Sequence, residues 1–494
     1  MGESKTGDFR HENKDAGDLA RRKFLKDMGR TALGVAAAAE IANTATASDA
    51  ASPEAIPAAV TIPEHLPPRL TIAQFLWTWL IDITPGGAYD DLDRVFNDCD
   101  ERHHNCIRAD AGLNWAFDQQ GRPRGAIELL PWAPGVGGNL RDVYPDKPVK
   151  YDVLERVLKM FELAKKHNIY VTLTSWEYQD STTHLADPRL REDIFSTPPA
   201  ERFERLANMH DRMIQELKKH GLEKQIAFVE IHNEVDFSDL PADWLTAKPL
   251  IEKALARLQK AHPDILFTAD YGSPSPFRPG FPGYDALPVN LQVADQHIYT
   301  LGVQKALHDL TGTWLGDQVP PDPKDNPLLA WMIGGKPRLS WEEFGRHAAR
   351  VRRSWWPIDW FFANIDVDRY DYWMFEHFGE YAAEMTALVA GNMRAWGNFS
   401  RRRGIPAVVD EGYIFWPPRN SRFEESAAGR GIYQAVVDTG IEQGYWGIML
   451  SNYAGPHQPL WKENPAWISK MNQRILASAN TTRPAGAVVE PNQF

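Results

Sequence analysis

Two acidic stretches of this chain hold residues able to do acid, base or nucleophilic chemistry. The first runs from Gln225 to Asp236, Gln-Ile-Ala-Phe-Val-Glu-Ile-His-Asn-Glu-Val-Asp. Ala227, Val229 and Ile231 alternate with Phe228, Glu230 and His232, so one face can pack on helices while the other turns Glu230, His232 and Glu234 inward. An Asn-Glu pair means nothing alone; its place at the end of a buried strand singles out Glu234. The second stretch is Pro406-Ala407-Val408-Val409, which leads into Asp410-Glu411-Gly412. Two carboxylates at separate strand ends, facing each other across a shared mouth, are what glycosidic hydrolysis needs. One, protonated, gives its proton to the leaving oxygen, and the other, ionised, attacks or activates water. An isolated glutamate is ordinarily a solvated loop charge, so the argument rests on the pair.

The elements that must position them alternate along the chain. Strands are predicted at Leu70 to Ile83, Asn105 to Arg108, Ile169 to Trp176, the Gln225 stretch, Ile265 to Ala269, Leu291 to Tyr299, Pro406 to Glu411 and Tyr445 to Ser451. Helices are predicted at Asp90 to His104, Tyr151 to Asn168, Pro199 to His220, Trp244 to Ala261, about Tyr381 to Arg402, and Glu424 to Gln443. Strands separated by helices imply parallel pairing with right-handed crossovers, and eight of them imply a closed (β/α)8 TIM barrel. An open doubly wound sheet is the rival, disfavoured because no Gly-rich phosphate turn follows the first strand. Gly135-Val136-Gly137-Gly138 follows Pro131 and Pro134 and reads as a loop.

In a barrel the working residues stand at the C-terminal strand ends and in the loops after them. Arg108 to Glu234 spans 126 residues and Tyr299 to Glu411 spans 112, against roughly 30 per strand-helix unit. The spare chain falls at 109 to 150, 177 to 198 and about 301 to 375, always on the catalytic face, which predicts long βα-loop insertions around a deep cleft. Within the last of these, Ser340-Trp341-Glu342-Glu343 reads as a capping box opening a short helix to Arg353, part of a lid, a wall or an oligomer contact.

Composition narrows the partners. The 494 residues carry 66 acidic and 54 basic side chains, a net charge of -12, which argues against nucleic acid or an anionic membrane as the main partner. Cys99 and Cys106 are the two cysteines, too few for a disulfide framework or a four-thiolate metal site, and both are expected buried and reduced. Arg21-Arg22-Lys23-Phe24-Leu25-Lys26, a modest apolar run from Thr31 to Ala39 and the small-residue site Ala45-Thr46-Ala47 read as a twin-arginine export signal over residues 1–47. A periplasmic or secreted protein that has met the Tat machinery is the expectation, with no stable membrane insertion. Residues 48–68, rich in Ala and Pro, read as a linker, 69–480 as the barrel and 481–494 as a tail.

On these residues the chain resembles the (β/α)8 retaining glycoside hydrolases of clan A, the cellulase-like families in particular. Four local signatures carry the resemblance. Phe228 to Glu234 is similar to the fourth-strand motif, implying that Glu234 is the general acid/base and that Asn233 bonds the sugar 2-hydroxyl. Pro406 to Gly412 is similar to the seventh-strand motif, implying that Glu411 is the nucleophile. Asn105 to Arg108 is similar to the second-strand motif, whose Arg108 would hold the nucleophile ionised. Asp295-Gln296-His297-Ile298-Tyr299 is similar to the sixth-strand His-x-Tyr motif, with Tyr299 on the nucleophile and His297 lining the site. The electrostatics agree in direction: Arg108 would lower the pKa of Glu411, and a drier site with Glu230 nearby would raise that of Glu234.

The chain also departs from the pattern. Val235 stands where a Pro often follows the acid/base, Ser175-Trp176-Glu177-Tyr178 replaces a His after the third strand, and the eighth strand ends Ser451-Asn452-Tyr453 without the usual Trp. Trp115, Trp176, Trp314, Trp416 and Trp461 fall on the loop side and offer apolar faces for sugar rings. The function expected is retaining hydrolysis of β-glycosidic bonds in an oligo- or polysaccharide, without metal or organic cofactor. A transglycosylase on the same residues and a non-catalytic carbohydrate-binding barrel are the alternatives, and a redox protein suggested by the export signal comes third.

Overall fold

The computed structural model describes residues 59–480 except 131–146, 180, 242, 273, 277, 279, 315, 317, 348–355, 415–416 and 452–454. The expected export signal, most of the linker, the tail and the Gly135 to Gly138 loop therefore lie outside the described residues. The strands are β1 (Leu70–Leu76), β2 (Cys106–Asp110), β3 (Ala126–Leu129), β4 (Val149–Asp152), β5 (Tyr170–Thr174), β6 (Ile226–Glu230), β7 (Phe267–Thr268), β8 (Ala294–Thr300), β9 (Ala407–Ile414) and β10 (Gly447–Met449). Eight of them form one parallel sheet in the order β7-β6-β5-β2-β1-β10-β9-β8. The seam between β7 and β8 is closed by Thr268 Oγ1 donating to the Val293 carbonyl (2.6 Å), by Gln292 N–H donating to the Phe267 carbonyl (3.1 Å) and by a parallel bridge from Gly272 to His297. The fold is a (β/α)8 barrel.

β3 and β4 stand apart as an antiparallel pair in the chain after β2, an element that the short, weakly alternating sequence did not reveal. Its Asp152 also caps the helix Val153–His167 by accepting from Glu155 N–H. Asp91, Asp243 and Ser426 cap three further helices in the same manner, each satisfying N–H groups that the first turn leaves open.

Several element boundaries differ from expectation, among them the end of β9, which runs on to Ile414. β1 ends at Leu76, which takes φ +53°, and the chain then turns through the 3-10 segment Thr78–Leu80 instead of continuing to Ile83. The helix expected from Tyr381 starts at Val367, where Asp366 accepts from Asp368 and Arg369 N–H, and runs to Arg403. Ser340 and Glu343 do close a capping box, each bonding the other's main-chain N–H, over the helix Trp341–His347. Residues 59–68, expected as the end of a linker, lie against the barrel: Val60 N–H donates to the Gly404 carbonyl at 2.8 Å, and the Trp446 indole donates to the Pro67 carbonyl at 2.9 Å. Cys99 and Cys106 are both buried and free.

The barrel interior is layered by the two-residue period of its strands. Ile72, Cys106, Tyr170, Phe228, Leu266, Val293 and Val408, from the N-terminal ends of seven strands, share one apolar cluster separate from the larger core under the helices. Two residues further on, those same strands present Gln74, Arg108, Thr172, Glu230, Thr268, Asp295 and Asp410, all fully buried. An apolar floor thus carries a polar and strongly acidic second layer, and the candidate site stands on top of it.

Candidate active site

Arg108 is the hub of the second layer. Its guanidinium donates to Glu230 from Nε (3.0 Å) and Nη2 (2.6 Å), to Glu411 from Nη1 (3.0 Å), and to Asn233 Oδ1 from Nη2 (2.8 Å). Asp270 at 3.3 Å and Asp410 at 3.0 Å complete its ion pairs. Burial works against its charge, but Asp410, Glu230 and Asp270 together outweigh burial and raise its pKa well above the ordinary value. The carboxylates around it respond to burial in the opposite sense. Glu230 is pushed up to about 7 by burial, with Arg108 pulling against it. Asp295 is raised well above the usual carboxylate range by burial and then by Asp410, Glu230 and Asp270. Neither oxygen of Asp295 meets a hydrogen-bond donor among the described residues.

Glu411 sits within β9, where its placement depends on an irregular register. Gln296 of β8 pairs with Val409 and His297 pairs with Glu411, so Asp410 is the extra residue of a bulge. Such an insertion re-aims the side chain that follows it, and here both acids of the dipeptide reach the interior. The Glu411 carboxylate accepts from Arg108, from Gln74 Nε2 at 2.8 Å and, on its other oxygen, from the Tyr299 hydroxyl. Three strands therefore hold one side chain, which is fully buried.

Glu234 lies four residues beyond the end of β6, in the left-handed region with φ +41°. Its carboxylate accepts from Gln179 Nε2 at 3.1 Å and meets His297 Nδ1 at 2.9 Å, and it keeps 7 % exposure. Asn233 Oδ1 is taken by Arg108, and its Nδ2 donates to Gln179 Oε1 at 2.6 Å. On its other side His297 places Nε2 3.0 Å from Asp270 and 3.4 Å from Asp410. Burial opposes a charge on this imidazole, yet Asp270, Glu411 and Asp410 raise its pKa well above the ordinary value. These surroundings favour the imidazolium form, with protons on both ring nitrogens.

The structure thus brings Arg108, Asn233, Glu234, His297, Tyr299 and Glu411 into one site. An oxygen of Glu234, a ring nitrogen of His297 and an oxygen of Glu411 all lie within 4.8 Å of one another. Glu230, Asp295 and Asp410 make a second set with the same spacing. A metal ion at either set would compete with a cation already in place, His297 in the first and Arg108 in the second.

Three of the five tryptophans expected as sugar platforms, Trp115, Trp176 and Trp461, are packed away instead. Trp176 is 1 % exposed, with the Arg108 guanidinium 4.8 Å over its ring and Trp77 against its edge. Trp115 is equally buried in the short helix after β2, and Trp461 stacks on His104 beneath Arg102. Trp314 is half-buried between His308 and Lys305, and Trp416 lies outside the described residues. The physical reason is that these loops fold back onto the barrel, where an indole gains more from burial than from an open face. The exposed ring beside Glu234 is Phe237, 41 % exposed and held under the Arg278 guanidinium at 4.2 Å. Both it and Glu234 crowd Gly272, where an added Cβ would lie 2.4 Å from the Phe237 ring and 2.9 Å from a Glu234 oxygen.

Sequence reasoning missed Gln74, Gln179 and Asp270. Gln74 had a signal, a polar residue on the inward face two positions after Ile72. Gln179 and Asp270 lie beyond strand ends, where no period marks direction.

Among solved structures the chain is similar to a proposed glycoside hydrolase from Parabacteroides distasonis ATCC 8503, at a TM-score of 0.58 and 16 % identity, over 83 % of this chain and 94 % of that one. It is also similar to an exo-β-1,4-mannosidase from Opitutaceae bacterium strain TAV5, at a TM-score of 0.44 and 12 % identity, over 85 % of this chain and 62 % of that one. An endo-1,4-β-D-mannanase from Thermotoga petrophila RKU-1 gives a TM-score of 0.41 at 11 % identity, over 81 % and 99 %. No protein-family model and no curated protein matches the sequence. What the first likeness carries is architecture: the chain is a (β/α)8 barrel of the kind on which a proposed glycoside hydrolase is built.

Proposed function

We propose that the protein is a retaining glycoside hydrolase that cleaves β-glycosidic bonds in an oligo- or polysaccharide. The observation that carries this reading is that one oxygen of Glu234 and one of Glu411 lie within 4.8 Å of each other. Retaining enzymes hold theirs about 5–5.5 Å apart, whereas inverting enzymes need about 6.5–9.5 Å to seat a water between them. A Glu411 oxygen attacks the anomeric carbon as the glycosidic C–O bond breaks, and the Glu234 proton goes to the departing oxygen. Water, losing its proton to Glu234, then attacks the same carbon and releases Glu411 as a carboxylate. Arg108, Gln74 and the Tyr299 hydroxyl, all on Glu411, orient the nucleophile. Asn233 Nδ2 keeps one hydrogen beyond its bond to Gln179 for the sugar 2-hydroxyl. Phe237, exposed beside Glu234, is the ring we assign to stacking on the leaving sugar.

The test is mass spectrometry after incubation with 2-fluoro β-glycosides bearing good leaving groups, with product stereochemistry read by proton NMR on a cleaved substrate. A covalent adduct on Glu411, absent from Glu411→Ala, together with retained configuration, is the expected result. Glu234→Gln is expected to lose about 10²- to 10⁴-fold on substrates that need acid assistance. Inverted product, or turnover untouched in both variants, sinks the assignment. Transfer to sugar in preference to water would make the protein a transglycosylase on the same residues. We further propose export by the twin-arginine route from residues 1–47, to a periplasmic or extracellular location.

A further inference from the structure

We propose that Asp270 is a positioning residue for the acid/base, one carboxylate that sets the main chain of Glu234 and the ring of His297 together; the inference rests on Glu234 acting as acid/base. Asp270 follows β7 by two residues and is fully buried. Its Oδ2 accepts the Glu234 main-chain N–H at 3.0 Å, lies 3.0 Å from His297 Nε2 and 3.3 Å from Arg108 Nη2. Its own carbonyl accepts the Val235 N–H at 3.1 Å, so two successive amides at the turn are anchored on one residue.

Two consequences follow from that anchoring. First, Glu234 holds a left-handed conformation that costs a side chain other than glycine steric strain, and the bonds to Asp270 at Glu234 and Val235 offset it. Second, the charge of Asp270 keeps His297 an imidazolium whose ring plane is fixed from behind. Its Nδ1–H then points at the Glu234 oxygen 2.9 Å away. The groups facing His297 are Glu234, Asp270, Asp410 and Glu411. Asp270 is the one among them that also bonds the Glu234 main chain. Removing its charge should therefore disturb where Glu234 stands and weaken the charge on His297 beside it; of the three Glu411 donors, Asp270 contacts Arg108 and leaves Gln74 and Tyr299 untouched.

The experiment compares Asp270→Asn with the wild type on 2,4-dinitrophenyl and phenyl β-glycosides, since the first departs without a proton and the second does not. The expected result is a loss on the order of 10- to 100-fold in kcat/KM on the phenyl glycoside, less than 3-fold on the dinitrophenyl one, and an alkaline limb of the pH profile moved to higher pH. A readout that needs no turnover is the ¹⁵N spectrum of histidine-labelled protein at pH 7, with His297 assigned by its absence in His297→Asn. Asp270→Asn is expected to move that resonance from the imidazolium position toward the neutral one. Equal losses on both substrates, or an unmoved His297 resonance, overturns the proposal. Glu234→Gln is run beside it: if that variant lacks the leaving-group signature, the acid/base reading fails. If it shows the signature and Asp270→Asn does not, the positioning role alone fails. Should Asp270→Asn not fold, Asp270→Glu keeps the charge but displaces the oxygen, and the same selective loss on the phenyl glycoside is expected.

Discussion

Arg108 and His297 are the two described cations among the acids of the barrel interior, and they face Glu230, Asp270, Asp410 and Glu411, with Asp295 behind. Carboxylates crowded in that excess and fully buried disfavour one another's charged forms. Neither oxygen of Asp295 meets a donor among the described residues, and burial, then Asp410, Glu230 and Asp270, raise it well above its ordinary range. A carboxyl whose folded pKa lies above its unfolded value contributes stability that is present at low pH and lost as pH rises toward the folded value. Asp295→Asn removes that dependence. It is expected to raise stability by about 1–3 kcal/mol at pH 8 and by much less at pH 4, measured by urea unfolding at both. A gain that is larger at pH 4 contradicts the assignment. Arg108→Met should act in the other direction, costing about 3–5 kcal/mol by leaving buried carboxylates without their partner.

At the scale of elements, the seventh barrel strand, β9, is tightly constrained at Gly412. Gly412 takes φ +131°, and a Cβ there would lie 2.0 Å from the Ile298 carbonyl oxygen of β8. Only glycine lets the strands approach closely enough to put Glu411 under the Tyr299 hydroxyl. Gly412→Ala is expected to cost about 3 kcal/mol or more from backbone strain and overpacking, read by chemical denaturation. A loss under about 1 kcal/mol would show that the close approach is relieved by a small shift. The long helix Val367–Arg403 has a different task. At 37 residues it spans about 55 Å at 1.5 Å per residue. Its lower half buries Met385, Val389, Met393 and Trp396 on the barrel, with the Trp396 indole donating to the Ala294 carbonyl at 2.9 Å. Its upper half buries Tyr370, Trp373 and Met374 beyond the strand ends. It is the wall of the insertion after β8.

For the whole molecule, an acidic surplus inside the barrel accompanies the net charge of -12, and both fit a neutral glycan better than a polyanion. No described helix is long and apolar enough to cross a membrane. The export proposal belongs at this scale because it concerns the address and not the site. Replacing Arg21 and Arg22 together with Lys is expected to leave the protein in the cytoplasm of a Tat-competent host, measured by fractionation and immunoblotting. Equal periplasmic recovery of the paired variant would remove the twin-arginine reading.

Much of this architecture was legible because strand and helix periods are local. The alternation around Glu230 and the choice of Glu234 and Glu411 could be read from residues a few places apart, as could the capping box at Ser340, although Glu411 stands inside β9 and Glu234 four residues past β6. The barrel followed from counting those units. The second layer of the interior was not legible, since Gln74, Arg108, Asp295 and Asp410 come from four strands and meet only when the sheet closes. The bulge that turns Glu411 inward depends on the register against β8, which no single strand encodes. The fate of the tryptophans likewise depended on how the loops fold back. Asp270 shows the division most plainly: in the sequence it is an acid two residues past a short strand, and its three partners are 36, 27 and 162 residues away. Local chemistry in the sequence chose which residues could act, and closure of the barrel decided which charges they would face.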